Sequence, residues 1–126
     1  MSDINWLSNK NSEEGVATIY SSYITLNMCA SSYLRNCYRV RVGINDERNI
    51  VIEPLSKEFA TRGDIDADCM YRLEERPSFC RICSSALLHQ IIALTGIHLE
   101  GRYKQFGTKF DFEHHNLMII LSKEVR

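Results

Sequence analysis

Two stretches of this chain carry the same order of patterns, and that repetition restricts the fold more than any single motif. In the first, YITLN is an apolar strand, ASSYLR a short helix, YRVRVGI a clean alternation, NDERN a tight polar turn and IVIEPL a strand. In the second, FCRICS, ALLHQIIAL, YKQFGTKFDF, EHHN and LMIIL follow in the same order. Each half reads strand–helix–strand–turn–strand. Residue identity between the halves is slight, so the repeat is one of pattern, and its register at the first strand is open by one residue. A unit of roughly 40–50 residues has too little core to stand alone. Two of them can bury their apolar faces against each other. The expected fold is therefore α+β, with two β-α-β-β units forming one pseudo-twofold, mostly antiparallel, barrel-like domain.

The length of 126 residues fits one such domain. Apolar residues at 44% and charged residues at 25% argue for a packed core and against a disordered chain. The expected organisation is a polar tail over 1–14, then one domain over 15–126. Within it, unit one covers about 15–55, a charged connecting loop about 56–78, and unit two about 79–121. Trp6 and Leu7 in the tail are candidates to dock on the body. The N-terminal stretch lacks the basic start and apolar run of a signal peptide, and no run approaches the roughly 18 apolar residues that span a bilayer. These features point to a cytoplasmic protein that does not enter membranes. The five cysteines, Cys29, Cys37, Cys69, Cys80 and Cys83, are then expected as free thiols.

Local signals place the elements. Asn27 or Ser31 caps a short helix over 29–35. Arg39 and Arg41 share the wet face of the strand over 38–44, and the strand over 50–53 stops at Pro54. Some strand character is expected over 70–73. Ser84 or Ser85 caps an amphipathic helix over 86–94 that Gly96 ends. A strand over 102–112, a turn at His114–Asn116 and a buried strand over 117–121 follow, ahead of a polar tail from Ser122.

This element order resembles the AbrB/SpoVT swapped-hairpin family. The similarity lies in residues 24–55 and, more weakly, 79–121. In that family two units interlock into a small barrel, and MraZ-like members carry both units on one chain. The resemblance implies DNA binding through basic residues on one face of the joined barrel. The chain departs from the pattern at three places. Asn27 stands where the family has Pro after the first strand, Arg35-Asn36 stand where Gly ends the short helix, and Gly96 comes late, after a longer helix.

Motifs for chemistry are few. Cys80-x-x-Cys83, with His114 and His115, has the residue types of a zinc site. On a strand, however, positions three apart point to opposite faces. Asp64, Asp66, Asp68 and Glu75 match calcium-loop spacing, but Cys69 occupies the position that needs Gly and Pro77 falls where a helix should exit. Of Cys83, Ser84 and Ser85, only Ser85 lies a helical turn from His89, and the serines are explained as caps. The six glycines are scattered singly and make no phosphate loop. No catalytic residue, metal ligand or cofactor site is assigned.

The net charge of −1 gives no global attraction to nucleic acid, so any basic surface is a local patch. Arg35, Arg39 and Arg41 in the first half, and Arg81, Arg102 and Lys104 in the second, are the candidates for contacting the phosphates of double-stranded DNA. For Arg39 and Arg41 the favoured reading is nevertheless a solvated strand face matched by Glu47 and Glu53. The expected function is a small binding module, an AbrB-like DNA-binding transcriptional regulator. The alternative is a protein-interaction or scaffolding domain, with a protein partner or a second copy of itself. A small enzyme or ligand carrier comes third.

Overall fold

The computed structural model describes Ile4 and residues 14–125. The tail expected over 1–14, with Trp6 and Leu7, lies outside the described residues except for Ile4 and Glu14, both exposed. The elements are β1 (Val16–Ile19), β2 (Tyr23–Asn27), α1 (Met28–Ser31), β3 (Arg39–Ile44), β4 (Ile50–Leu55), α2 (Lys57–Thr61), a 3-10 turn (Ala67–Cys69), β5 (Glu74–Glu75), β6 (Phe79–Cys83), α3 (Ser85–Thr95), β7 (Lys104–Asp111) and β8 (Asn116–Val125). The protein is α+β, with one curled antiparallel sheet of eight strands in the order β3-β4-β8-β7-β1-β2-β6-β5. No helix among the described residues is long and apolar enough to cross a membrane.

Curling brings the two sheet edges to one segment. Tyr71 exchanges both backbone hydrogen bonds with Val40 of β3, at 2.8 and 2.7 Å. Three residues later Glu74 and Glu75 pair with Arg81 and Cys80 of β6. Residues 71–75 therefore touch both ends of the sheet.

The alternation seen in the sequence sets the faces. Ile24 and Leu26 of β2, Val40 of β3, Ile52 of β4, Ile82 of β6 and Ile119 of β8 are fully buried. With Leu87, Leu88 and Ile91 from α3 they form one contiguous core. Ser84 caps α3, its hydroxyl oxygen accepting from the Leu87 N–H at 3.1 Å. Gly96 ends it at φ 73°, a left-handed conformation that glycine adopts without strain. Gly15 has a different reason to lack a side chain. A Cβ there would meet Thr108 Oγ1 at 2.3 Å and Ala30 at 3.2 Å, so β1 could not lie this close to β7 and α1.

Several expectations need correction. Helix α1 ends at Ser31 rather than near Arg35, because the chain turns away. The Leu34 and Arg35 N–H groups both donate to the Ser31 carbonyl, and Asn36 exits at φ 69°. Strand β4 passes through Pro54 to Leu55. The β8 ladder ends at Ile52, so nothing on that side requires the N–H that Pro54 lacks. Strand β8 continues through the expected polar tail to Val125, because Gln105 and Phe106 of β7 pair with Val125 and Glu124 beyond a bulge. The connecting loop holds α2, whose cap Ser56 accepts from the Phe59 N–H at 3.2 Å. Of the strand character expected over 70–73 only the Tyr71 bridge is found, and the strand β5 lies just beyond it at Glu74–Glu75.

Candidate nucleic-acid interface

Arg39 and Arg41 stand on β3, at one edge of the sheet, and Arg81 stands on β6, next to the other. The closing segment joins these edges, so the three arginines lie around a common wall. Arg41 sits opposite Glu53 in the β3–β4 ladder. Its Nε donates to one Glu53 oxygen at 2.9 Å, and its Nη2 lies 2.8 Å from the same oxygen. Arg39 is half-buried. It donates to the Tyr38 carbonyl at 2.7 Å and lies 4.5 Å over that residue's ring. Arg81 faces Glu74 of β5, with 3.5 Å between Nε and the carboxylate. That buried Nε makes no well-directed hydrogen bond among the described residues. The Arg81 guanidinium lies 5.7 Å from the Tyr23 ring.

The other three candidates separate from this group. Arg35 reaches across and donates to the carbonyls of Arg76 and Phe79, at 2.6 and 3.4 Å. It is committed to fixing the β5–β6 turn. Lys104 pairs with Glu124 at 3.4 Å on the β7–β8 side. Arg102 is exposed in the loop before β7. A row of tyrosines runs from there toward Arg81. Tyr103 lies 5.6 Å from Tyr20, and Tyr20 stacks on Tyr23 at 4.2 Å. The wall gains two residues that sequence reasoning missed, Arg72 and Arg76. They line one cleft with Arg39. Only the Val40–Tyr71 pairing brings Arg72 there, and the charged stretch around it carries no local signal for that contact.

Charge is balanced locally along the wall. The Glu74 carboxyl is held below its ordinary value by its hydrogen bond with the Cys83 thiol and by Arg81. Burial, with Glu74 adding to it, pushes the Cys83 thiol up. Burial and Glu75 push Cys37 up to about 11. Both thiols thus hold their protons at neutral pH, which disfavours nucleophilic or metal-binding roles. Cys80 is buried and Cys83 exposed, as expected for opposite faces of a strand.

Around the far side of β3 an open groove of about 870 Å³ lies between the end of β4 and the β7–β8 turn. Tyr33, Tyr38, Phe59 and His115 line it. Beside it Tyr33 stacks on Phe110 at 4.5 Å, and Phe112, 71% exposed, meets both rings edge-on. Asp111, Glu113 and His114 in the adjoining turn bring three potential metal donors within 4.8 Å of one another. The turn itself accounts for that cluster. Asp111 Oδ1 accepts the N–H groups of Glu113 and His114, and Oδ2 lies 2.7 Å from His114 Nδ1. No family model, curated protein or solved structure was found to match the chain.

Proposed function

We propose that this protein is a DNA-binding module of the AbrB/SpoVT kind, in which two β-α-β-β units on one chain form a pseudo-twofold barrel. Support for the two units comes from strand pairing. Strand β2 pairs with β6 around Thr25 and Arg81, and β4 pairs with β8 around Val51 and Met118. Exchange β1 with β5, β2 with β6, β3 with β7 and β4 with β8. The set of strand neighbours is unchanged once the Val40–Tyr71 bridge is counted with β5.

The observation that carries the binding reading is that residues 71–75 pair with both β3, which bears Arg39 and Arg41, and β6, which bears Arg81. Guanidinium groups spaced along a surface suit a phosphate backbone, which needs positive charge at intervals rather than a deep pocket. The test is a titration of random-sequence duplex at several salt concentrations. The full chain binds at low salt. Arg39→Ala with Arg41→Ala weakens binding to all sequences alike and lowers the salt slope by about two units. The fold survives, since surface changes of this kind cost about 0.5 kcal/mol.

The exposed Tyr33 and Phe112, clustered on half-buried Phe110, favour a second reading, a protein-interaction module, because clustered exposed aromatic rings suit protein contacts. The same titration separates the two. Absence of duplex binding at low salt removes the DNA reading and leaves the interaction module in its place.

A further inference from the structure

We propose that the cleft between β3 and residues 71–76 is a binding site for a phosphate group, held by Arg39, Arg72 and Arg76. The site stands on its own geometry, and it rests on the DNA reading only if that phosphate belongs to a nucleic acid backbone.

The starting point is register. Val40 and Tyr71 exchange both backbone hydrogen bonds in antiparallel sense. The bridge is isolated, and one step beyond it Arg39 and Arg72 come to line the same cleft. Like charges gathered there repel. A protein ordinarily offsets such a pair with a carboxylate between them. Here the two carboxylates that also line the cleft, Glu74 and Glu75, leave its three guanidinium groups with one positive charge in excess. Glu74 is turned to Arg81, at 3.5 Å, and approaches Arg76 only at 3.9 Å. Glu75 accepts from the Asn36 N–H at 3.1 and 3.2 Å. Among the described residues Arg39 has only the carbonyl and ring of Tyr38. Arg72 makes no hydrogen bond or ion pair among the described residues, and it is exposed.

Arg39, Arg72 and Arg76 line the same cleft, about 510 Å³ in volume. Arg35 fixes one wall by donating to the Arg76 carbonyl. Guanidinium forks match the oxygens of a phosphate in pairs, and a tetrahedral anion can accept from several forks at once. A bound phosphate would supply the negative charge that the cleft lacks.

The experiment is thermal unfolding of the full chain and of Arg72→Gln at constant ionic strength, with chloride alone, with inorganic phosphate, and with a short duplex. In chloride the variant melts above the wild type, because the cleft's excess charge is gone. Phosphate at about ten times its dissociation constant raises the wild-type midpoint by about 4–6 °C and leaves the variant unmoved. In duplex titrations the variant loses about one unit of salt slope. Stabilisation by inorganic phosphate without duplex binding supports the site, identifies a free phosphate as its ligand and sinks the DNA reading alone. Stabilisation by duplex but not by inorganic phosphate identifies a backbone phosphate. An equal response of wild type and variant to both ligands overturns the proposal, as does no response of the wild type to either.

Discussion

Asn27 ties the start of α1 to the start of β1. Its Oδ1 accepts from the Ala30 N–H at 2.9 Å, capping the helix, and from the Val16 N–H at 3.0 Å. Its Nδ2 donates to the Glu14 carbonyl at 3.0 Å. A proline at this position could supply none of these bonds. Asn27→Ala removes all three, leaving the Ala30 and Val16 N–H groups without their acceptor. The expected cost is about 2–3 kcal/mol, above the roughly 1 kcal/mol of an ordinary cap. Asn27→Asp keeps the acceptor and recovers most of the loss. Denaturant unfolding of the two variants checks this, and equal destabilisation by both would contradict it. The cap itself was legible from the residue type. Its second bond, to Val16, was not, since it depends on β1 lying beside α1.

At the scale of elements, the β7–β8 turn is held by one carboxylate and one imidazole. The hydrogen bond to Asp111 raises the His114 pKa above its ordinary 6.5, with Glu113 adding to the effect. The same bond holds the Asp111 carboxyl below its ordinary value. The signs follow from these directions. The contribution of His114 is complete below about 6.5, where the unfolded residue is also protonated. It is lost as pH rises through the higher folded value. The contribution of Asp111 is present above the ordinary carboxylate range and is lost as pH falls through its lowered value. The turn is therefore tightest in mildly acidic solution. An NMR titration should place the His114 midpoint above 6.5, and Asp111→Asn should return it to the ordinary value. An unchanged midpoint in the variant would refute the pairing. The turn was legible as EHHN between two alternating runs. The pairing of His114 with Asp111, rather than with the cysteines, comes from the close return of the chain within the turn.

At the scale of the molecule, the two halves of the chain are joined by the β1–β7, β2–β6 and β4–β8 ladders, by the Val40–Tyr71 bridge and by one core. Neither half keeps its apolar faces covered without the other. A break after Gly63, an exposed residue between α2 and the 3-10 turn, cuts none of these ladders. The pieces 14–63 and 64–125 should show no cooperative melt as separate monomers. Mixed, they should recover one, and a piece that folds alone should do so as a dimer that mimics the missing half. Cooperative unfolding of either piece as a monomer, by circular dichroism with sedimentation to fix its mass, would refute the interlocked two-unit reading.

By itself the sequence determined the strands, the long helix and their order, because those depend on local periodicity, capping and turn residues. Ile24 and Leu26, Val40, and Leu87, Leu88 and Ile91 reveal their buried faces through spacing alone. Where periodicity failed, long-range pairing had taken over. Pro54 stays in β4 because its ladder with β8 has already ended, and Ser122–Val125 stay in β8 because β7 returns to pair with them. The candidate site follows the same division. Arg39, Arg41 and Arg81 were recognisable as cations on strands. Arg72 was not recognisable as their neighbour, since its position depends on Tyr71 meeting Val40 across 31 residues of chain. Only the curl of the sheet brings its two edges to one segment, and no local pattern encodes a contact between residues so far apart.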